Sequence, residues 1–413
     1  MPPIKIMTWN IMSFSDTFWP GMGAVTPDTA STYGEMAGLQ IIDAIKTADP
    51  DILVIQEARA TAGAVASLAT DGAGVRALLA VLNRLGAGWC ALPPLRLNPQ
   101  STSTYSTISG HPYTEASCIL FQTRNLDFIG PDVWDGNSPV SRADGPTPTA
   151  YGGGWSAVLP ATPPAAVGYM GCNQNQLAPR LQFYNVDTDA RTIQEVCLPA
   201  PSFRRAVYAA FWDKANNQVI KLLCVHLPPP NSTVKGPNLQ AMEKLGLMEF
   251  LGWWAPINGA DTQGKAIILG DFNVNACNPG DEAYFTQYFS NYTRFIRTTN
   301  TMATMMEDAI PRSSSPYLYQ NTNWWRTDSG GYLLAADNIL VGGYTSPNPP
   351  QPAAATFQLL DWVLLTPGTG GGTNQAYMSD GRGWITSDGT FCALKNYAKI
   401  RTASDHIGLL VTI

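Results

Sequence analysis

The sequence is poor in charged residues, which make up only 14% of it, compared with roughly 25% in an average soluble protein. Its 25 lysines and arginines are outnumbered by 31 acidic residues, so the formal net charge is −6. This balance argues against a protein that binds nucleic acid through a broad basic face. It does not exclude a nuclease, because a metal ion and a few local arginines can hold one phosphodiester group.

The seven cysteines lack the CxxC spacing of zinc and redox sites, so neither class of site is expected. Cys118 and Cys224 stand within apolar runs and are predicted to be buried free thiols. Cys172 and Cys197 flank a loop-like region, and they could form a disulfide in an oxidising compartment.

Long apolar runs are also missing. No run approaches the roughly 18 residues of a membrane-spanning helix, and the opening stretch MPPIKIMTWN lacks the apolar region of a signal peptide. We therefore expect a soluble chain, which is cytoplasmic, or secreted if a leader has been removed.

The chain does contain a repeated alternation of short apolar runs with segments of helical periodicity, which is typical of an α/β (α+β) protein. Helices are predicted at 33–48, 74–86 and 239–254. Strands are predicted at 4–10, 52–57, 116–122, 205–212, 219–227, 265–270, 336–342 and 406–413.

Three stretches rich in Gly, Pro, Ser and Thr separate these elements, at about 125–200, 276–335 and 343–402. Loops of this length inside a compact domain are uncommon and tend to be functional. Because strand-like runs occur on both sides of every such stretch, we predict one domain over 1–413 with three insertions.

Polar residues cluster where the apolar runs end, which is where α/β proteins place their functional sites. They are Asn10, Gln56, Glu57, His226, Asp271, Asn273, Asp337, Asp405 and His406. In the stretch IILGDFNVN, Gly270, Asp271 and Asn273 also fit an ordinary turn. Asn275 stays open between a supporting role in the site and a turn residue. Two of the three histidines of the chain belong to the cluster.

Six short motifs resemble the endonuclease/exonuclease/phosphatase superfamily, which includes deoxyribonuclease I. They are MTWNI, DPDILVIQE, VHL, GDFNVN, ADNIL and SDHIGL, and they occur in this order. The resemblance implies a four-layer sandwich of two packed mixed β-sheets flanked by helices. It places the active site at one end of the sandwich.

The resemblance also implies a magnesium site, in which Mn²⁺ could substitute. Glu57 would be the main ligand, with Asn10 and Asp405 nearby. Asp271 and Asn273 would hold the attacking water and the phosphate. These residue types suit the chemistry, since Mg²⁺ prefers carboxylate oxygens and an Asn N–H can bind phosphate without adding negative charge.

Two histidines would contact the phosphate and move protons. His406 would be oriented by Asp337, and His226 would pair with Glu115, which lies in YTEASCILFQT. A carboxylate beside a histidine fixes its tautomer. Whether Asp271 or His406 is the general base stays open.

Two further features concern the substrate. Arg204 and Arg205 open a strand at SFRRAVY, and at most one can contact phosphate, because neighbours on a strand point to opposite faces. The pairs Trp253–Trp254 and Trp324–Trp325 fit either stacking on bases, insertion at a membrane interface, or core packing.

We predict a Mg²⁺-dependent phosphodiesterase, and the first hypothesis for its substrate is DNA. His226 favours the deoxyribonuclease I, sphingomyelinase and phosphatase branches, because the apurinic endonucleases usually have another residue there. The alternative is a phospholipid or small-molecule phosphodiesterase or phosphatase. A third possibility, a binding module without activity, is disfavoured because all six motifs retain chemically competent residues.

Overall fold

The structure is a computed structural model, and it describes a little under half of the 413 residues. The described residues are 2–14, 33–60, 73–84, 88–91, 95–96, 105–108, 111–130, 206–227, 239, 241–243, 245–246, 249, 253–254, 263–274, 276, 279–296, 305–306, 333–334, 336–345, 347–360, 367–368, 383–385, 391–393, 404 and 406–413.

The described strands are numbered β1 to β20 in chain order. They are β1 (Lys5–Phe14), β2 (Ile52–Ala60), β3 (Trp89–Ala91), β4 (Leu95–Arg96), β5 (Tyr105–Ile108), β6 (His111–Gln122), β7 (Leu126–Gly130), β8 (Val207–Asp213), β9 (Gln218–His226), β10 (Gln263–Asp271), β11 (Thr293–Arg294), β12 (Met305–Met306), β13 (Leu333–Leu334), β14 (Asp337–Thr345), β15 (Asn348–Pro352), β16 (Thr356–Leu360), β17 (Pro367–Gly368), β18 (Gly383–Ile385), β19 (Phe391–Ala393) and β20 (Gly408–Thr412).

Three helices are described with their bounds: α1 (Tyr33–Ala48), α2 (Ala73–Arg84) and α3 (Pro279–Tyr288). Helix α1 has the predicted bounds, and Pro50 two residues beyond its end agrees with the disfavoured helix before a proline. The described residues between 239 and 249 are helical, as the apolar periodicity predicts.

Sheet I is a mixed sheet whose strands lie in the order β16-β20-β1-β2-β6-β3, with β4 and β5 also paired to β6. Strands β1 and β2 are parallel, and the other neighbours are antiparallel. The sheet therefore joins the start of the chain to its last described strand.

Sheet II is also mixed, in the order β11-β14-β10-β9-β8-β7, with β15 paired to β14. Only the β9–β10 pair is parallel among its described pairs. The small sheets β12-β13 and β17-β19-β18 complete the described strands.

The two large sheets pack face to face through their apolar residues. Phe121 of sheet I lies 5.1 Å from Phe211 and 6.3 Å from Phe128 of sheet II, measured between ring centroids. Alternate residues such as Ile6 and Val54 point into this layer and are fully buried. Burial of this apolar surface is the main force that holds the sheets together. The packed mixed sheets implied by the motifs are confirmed.

The opposite face of sheet I packs against helices α1 and α2. Met7 and Leu53 of the sheet share a buried cluster with Ile41 and Ile45 of α1 and with Leu78 of α2. Helix α1 buries Ile41 and Ile45 and exposes Asp43 and Lys46, which is the amphipathic pattern of a helix that packs on a sheet.

The outer face of sheet II includes a buried lysine. Lys221 is fully buried, and its Nζ donates to the carbonyl oxygen of Trp254 at 2.8 Å and lies 4.9 Å from the centre of the Tyr344 ring. Trp253 and Trp254 are themselves buried, so core packing, rather than stacking on a substrate, accounts for this pair.

A half-buried glutamate lies near this layer. Oε2 of Glu249 accepts hydrogen bonds of 2.7 Å from both Trp253 Nε1 and Tyr292 OH. Burial raises the pKa of Glu249 to about 7, although these hydrogen bonds oppose the shift. Burial, followed by the charge of Glu249, likewise raises the pKa of Tyr292.

The three predicted insertions contain regular structure that the sequence reading missed. Strand β7 begins at Leu126, helix α3 lies at Pro279–Tyr288, and β15 and β16 lie beyond residue 343. Strand β15 has the sequence NPPQP. It escaped prediction because its prolines argue against a strand. Proline is nevertheless tolerated on an edge strand, where one side needs no N–H donors.

Two of the cysteines lie within the described strands. Cys118 and Cys224 are free and buried, as predicted, and burial raises the pKa of both thiols. In the part of the chain that the structure describes, no helix has the length and apolar character needed to cross a membrane.

Candidate active site

Three polar residues form one row across the end of sheet II. Asp271 is the last residue of β10, and it pairs in register with His226, the last residue of β9, and with Asp337, the first residue of β14. Residues paired across neighbouring strands share a face of the sheet. All three side chains are buried.

Sheet I contributes Asn10 and Glu57 to the same place. Asn10 pairs in register with Gln56 on the parallel strand β2. Regular alternation would turn Gln56 and Glu57 to opposite faces. The pairing of β2 with β6 is irregular between Ile55 and Ala58, and Glu57 has a left-handed φ of 57°. This bulge turns the Glu57 carboxylate toward Asn10.

The side-chain amide of Asn10 links the two sheets. Its Nδ2 donates to Oδ2 of Asp271 at 3.1 Å and to Oε1 of Glu57 at 3.3 Å, and it lies 3.4 Å from Nε2 of His406. An NH₂ group has two hydrogens, so one amide can bridge two carboxylates that would otherwise repel each other.

Three side-chain nitrogens lie within 4 Å of Oδ2 of Asp271. Besides Asn10, Nε2 of His226 lies 3.5 Å away and Nε2 of His406 lies 3.9 Å away. Nε2 of His226 is also 3.9 Å from Oε1 of Glu57. The histidine distances are longer than a good hydrogen bond, so both imidazoles face the carboxylate without being fixed to it.

His406 and Asp337 form a short pair. Nδ1 of His406 lies 2.8 Å from Oδ2 of Asp337, and both residues are buried. An ionised carboxylate accepts a hydrogen bond, so this contact favours the tautomer with the proton on Nδ1. Nε2 of the imidazole then turns its lone pair toward Asn10 and Asp271.

Hydrogen bonds between side chains and the backbone connect the segment before β20 to β1. Trp9 Nε1 donates to the His406 carbonyl at 2.9 Å. Ser404 Oγ donates to the Asn10 carbonyl at 2.6 Å and accepts from the His406 N–H at 3.0 Å. Sequence reasoning assigned neither Trp9 nor Ser404 to the site. A serine two residues before a histidine is a usable signal, because serine hydroxyls often bond nearby backbone N–H groups.

The segment after Asp271 turns through side-chain hydrogen bonds. Oδ1 of Asp271 accepts from the Asn273 N–H at 2.7 Å, which is the Asx-turn that such residues favour, and Asn273 has a left-handed φ of 49°. Nδ2 of Asn273 donates to the Leu227 carbonyl at 2.7 Å. Asn273 therefore ties β10 to the residue that follows His226.

Gly270 does not make the bend that its place in IILGDFNVN suggested. It lies within β10 and pairs with Val225 on one side and Asn338 on the other. Its φ is 127°, and a Cβ there would overlap the Val225 carbonyl and come within 2.7 Å of Gln56 Nε2. The glycine is needed for close approach, and the turn comes after Asp271.

The oxygen atoms of Asn10 and Glu57 suit a hard divalent cation. Oδ1 of Asn10 is buried and has no hydrogen-bond partner among the residues that the structure describes, which is costly unless another ligand uses it. Oε1 of Glu57 lies 3.3 Å from the same amide, and the Glu57 side chain is 20% exposed. Mg²⁺ binds through one or two carboxylates while retaining several waters, so these residues fit it.

A second group of ligand-type atoms lies beside this pair. Asp271, Asp337 and His406 each place one such atom within 4.8 Å of the other two. This group suits Mg²⁺ less well than Asn10 and Glu57 do. Nδ1 of His406 is already 2.8 Å from Asp337, and Mg²⁺ prefers oxygen to imidazole nitrogen.

Several predicted residues lie outside what the structure describes. Asp405, Arg204, Arg205, Asn275, Cys172, Cys197 and the pair Trp324–Trp325 are in this group. Glu115 lies on β6, opposite Arg59 of β2, and the position of its side chain is not described. Its pairing with His226 remains a prediction.

Comparison with protein-family profiles and with curated protein sequences gives no match. Three solved structures similar to this chain are the following. D. rerio TDP2 complexed with a single-stranded DNA product has 11% identity and a TM-score of 0.44, covering 100% of this chain and 99% of that chain. The human Nocturnin catalytic domain with bound sulfate has 14% identity and a TM-score of 0.41, covering 100% and 94%. An endonuclease/exonuclease/phosphatase family protein from Bacteroides thetaiotaomicron has 12% identity and a TM-score of 0.39, covering 100% and 97%.

Proposed function

We propose that this chain is a Mg²⁺-dependent phosphodiesterase that acts on DNA, through attack of water on phosphorus. The observation that carries the proposal is the meeting of both sheets at one buried point. Asn10 and Glu57 arrive from sheet I, and Asp271 and the Asp337–His406 pair lie against them within 4 Å. An amide, carboxylates and a carboxylate-bound imidazole are the groups that phosphoester hydrolysis needs.

In this proposal His406 moves the proton of the attacking water. Asp337 holds the Nδ1–H and so presents the Nε2 lone pair toward Asp271 Oδ2, 3.9 Å away. Nε2 can accept a proton as the water oxygen bonds to phosphorus and the P–O bond to the leaving ester oxygen breaks. The leaving oxygen takes up a proton from solvent, and the imidazolium that forms is stabilised by Asp337. Asp271, held by the Asn273 N–H at Oδ1, orients the water. This assigns the base role to His406 and an orienting role to Asp271.

His226 faces the same space from the neighbouring strand. Its Nε2 lies 3.5 Å from Oδ2 of Asp271 and 3.9 Å from Oε1 of Glu57. We propose that it donates a hydrogen bond to the phosphate. Asn273 and one of the two arginines at 204 and 205 are proposed as further phosphate contacts.

The cation would be held by Glu57 and Asn10, with Asp405 as a third ligand. When bound, Mg²⁺ supplies neutralisation of the negative charge on the phosphate. The unpaired Oδ1 of Asn10 is the observation in the site that supports this placement. The bulge at Glu57 supports it too, because a left-handed residue in a strand costs free energy and is usually retained for function.

DNA is the first hypothesis for the substrate, and a phospholipid or small-molecule phosphodiester or phosphate is the alternative. The presence of His226 suits the deoxyribonuclease I branch of the superfamily that the motifs resemble, and it suits the sphingomyelinase and phosphatase branches equally, so it disfavours only the apurinic endonucleases. The net charge of −6 provides no long-range electrostatic attraction between the chain and the DNA phosphates. Substrate binding would therefore depend on the cation and on local arginines.

Plasmid nicking in the presence of Mg²⁺ tests the proposal. We expect conversion of supercoiled DNA to relaxed DNA, abolished by EDTA and restored by excess Mg²⁺ or Mn²⁺. The same preparation is assayed in parallel for release of phosphocholine from sphingomyelin and of inorganic phosphate from small phosphate esters. Activity only in a parallel assay would transfer the proposal to the alternative substrate class.

The residue assignment is tested by Glu57→Ala and His406→Ala. Each is expected to reduce hydrolysis by at least about 100-fold, the usual scale for loss of a general base or of a positioned charge. Glu243→Ala is the matched control, because Glu243 is exposed on the helical segment between residues 239 and 249 and belongs to none of the six motifs. If both site variants hydrolysed DNA at the wild-type rate, the site would lie elsewhere.

A further inference from the structure

The side chain of Gln56 spans the space between the two sheets directly beneath the site. Gln56 is fully buried, and its Nε2 donates to Oγ1 of Thr8 at 2.9 Å. On the sheet II side the same nitrogen lies so close to the Gly270 backbone that a Cβ there would approach it to 2.7 Å. The amide thus fills the space that the glycine leaves.

The residues that follow Gln56 and Gly270 in the sequence are proposed site residues. Gln56 precedes Glu57 and pairs in register with Asn10, while Gly270 precedes Asp271. The contact between Gln56 and Gly270 therefore sets the distance between the part of β2 that carries Glu57 and the end of β10 that carries Asp271. The Asn10 amide bridges these two carboxylates at 3.3 Å and 3.1 Å, distances that a small change in sheet separation would break.

Packing alone does not explain an amide at this position. Oε1 of Gln56 is buried and has no hydrogen-bond partner among the described residues, and an unpaired buried oxygen costs folding free energy. A Met or Leu side chain would fill a similar volume without that cost. The amide donates to Thr8, however, and this bond fixes its orientation as no apolar side chain could.

We propose that Gln56, held by Thr8 and resting on Gly270, is a positioning residue that sets the distance between the Asn10–Glu57 and Asp271 sides of the site and thereby its affinity for the cation. The inference rests on the proposed function, because it assumes that Asn10 and Glu57 hold the cation. Gln56 touches neither the cation nor the substrate in this scheme, and it acts through its neighbours.

The test measures Mn²⁺ binding directly, by the electron paramagnetic resonance signal of free Mn²⁺ during titration of the full chain. Gln56→Met removes the amide and keeps the side-chain length. We expect it to weaken Mn²⁺ binding by about tenfold, the lower end of the effect for groups that orient metal ligands. Thr8→Val, which removes only the acceptor, should weaken binding by a smaller factor in the same direction. Thr8→Ser keeps the hydroxyl and should bind within twofold of wild type.

Gln122→Met is the matched control for loss of a buried amide. Gln122 is a buried glutamine of sheet I as well, its Nε2 donates to the Pro50 carbonyl at 2.7 Å, and its Oε1 also lacks a partner among the described residues. It is the last residue of β6. We expect it to lower the melting temperature about as much as Gln56→Met does, and to leave Mn²⁺ affinity unchanged.

The outcomes separate this inference from the proposed function. A wild-type chain that neither binds Mn²⁺ nor hydrolyses a phosphodiester would overturn the proposed function. A wild-type chain that does both, with Gln56→Met and Thr8→Val binding Mn²⁺ as tightly as wild type, would overturn only the role of Gln56. If Gln56→Met does not fold, the comparison of Thr8→Val with Thr8→Ser decides the question. Equal loss of affinity in Gln122→Met would show a general stability effect and would also overturn the role.

Discussion

At the scale of single residues, the pair formed by His406 and Asp337 allows a sharp prediction. Asp337→Asn keeps the shape of the side chain but replaces the acceptor at 2.8 Å from Nδ1 of His406 with an amide that can present an N–H instead. The imidazole then loses the partner that holds its tautomer. We expect kcat for phosphodiester hydrolysis to fall by about 100- to 10,000-fold, with little change in KM.

Asp127→Asn is the control for this change. Asp127 is also a buried carboxylate of sheet II, and it is paired with Lys214 at 2.9 Å. It lies on β7, at the opposite edge of the sheet from β14. We expect Asp127→Asn to alter stability but not kcat. Equal activity in Asp337→Asn and wild type would rule out proton transfer through His406.

Glu249 gives a prediction about pH and stability. Its pKa is raised from 4.5 to about 7 in the folded state, so between these values the unfolded chain loses a proton that the folded chain keeps. Ionisation therefore favours unfolding, and the stability due to this group, complete below pH 4.5, is lost as the pH rises to 7. Glu249→Gln removes the titration. The difference in unfolding free energy between the variant and wild type should therefore move in favour of the variant by on the order of 2 kcal/mol from pH 5 to pH 8.

Urea unfolding at the two pH values measures this gain. Glu243→Gln serves as the control, because Glu243 is exposed on the same helical segment and its replacement should leave the difference between the two pH values as in wild type. If the unfolding free energy of Glu249→Gln changed between pH 5 and pH 8 by the same amount as that of wild type, this would contradict the raised pKa of Glu249.

At the scale of elements, strand β10 depends on Gly270. An alanine there would require a φ of 127° and would overlap the Val225 carbonyl, so strain and overpacking add. We expect Gly270→Ala to lower the unfolding free energy by about 3 kcal/mol or more. Thermal or urea unfolding followed by circular dichroism provides the measurement.

Gly343 on the neighbouring strand β14 is the matched control. A Cβ there would meet its nearest atoms, Ala353 Cβ and Lys265 Nζ, at 3.7 Å and 3.8 Å, which are ordinary contacts. Gly343→Ala should change the unfolding free energy by less than about 1 kcal/mol. If the two variants were equally stable, the close approach at Gly270 would not hold in solution.

Strand β2 shows why part of the site could not be predicted from the sequence. The apolar run before Gln56 and Glu57 was enough to identify the strand, because burial on both faces requires such a run. The alternation of side chains does not indicate which of two consecutive polar residues faces the site. A bulge decides it here, and the bulge arises from pairing with β6, more than fifty residues later in the chain.

Strands β15 and β16 illustrate the same limit for the fold. The sequence of β15, NPPQP, favours a loop because it is Pro-rich, while TFQLL of β16 contains the strand formers Thr and Phe but lies within the long stretch rich in Gly and Pro. Each lies at a sheet position where only one neighbour is needed, β14 for β15 and β20 for β16. The partner strand β14 imposes β15, which local propensity therefore cannot reveal, whereas β16 has a local strand signal that the composition of its surroundings outweighed.

At the scale of the whole molecule, the proposed cation would connect distant parts of the chain, because Asn10 and Glu57 lie on β1 and β2 and Asp405 would be a third ligand. A ligand that binds only the folded chain stabilises it by an amount set by its concentration and dissociation constant, about 2.7 kcal/mol at 100 times that constant. We expect Mg²⁺ or Mn²⁺ to raise the melting temperature of the wild-type chain and EDTA to reverse the increase. Glu57→Gln should abolish the increase, while Gln122→Met should retain it.

This thermal shift needs no substrate and is therefore independent of the nicking assay. A wild-type chain whose melting temperature is the same in EDTA and in millimolar Mg²⁺ or Mn²⁺ would contradict the proposed cation site.

The order of strands in sheet I has a consequence for synthesis of the protein. Strand β1 contributes Asn10 but takes β20 as one of its two neighbours, with Lys5 opposite Thr412, and His406 precedes β20. At about 5–20 residues per second, roughly 20–70 seconds separate translation of Glu57 from that of the last strand. During that interval a nascent chain holds one half of the site without the other. The proposed site is therefore complete only after β20 has been translated and has paired with β1.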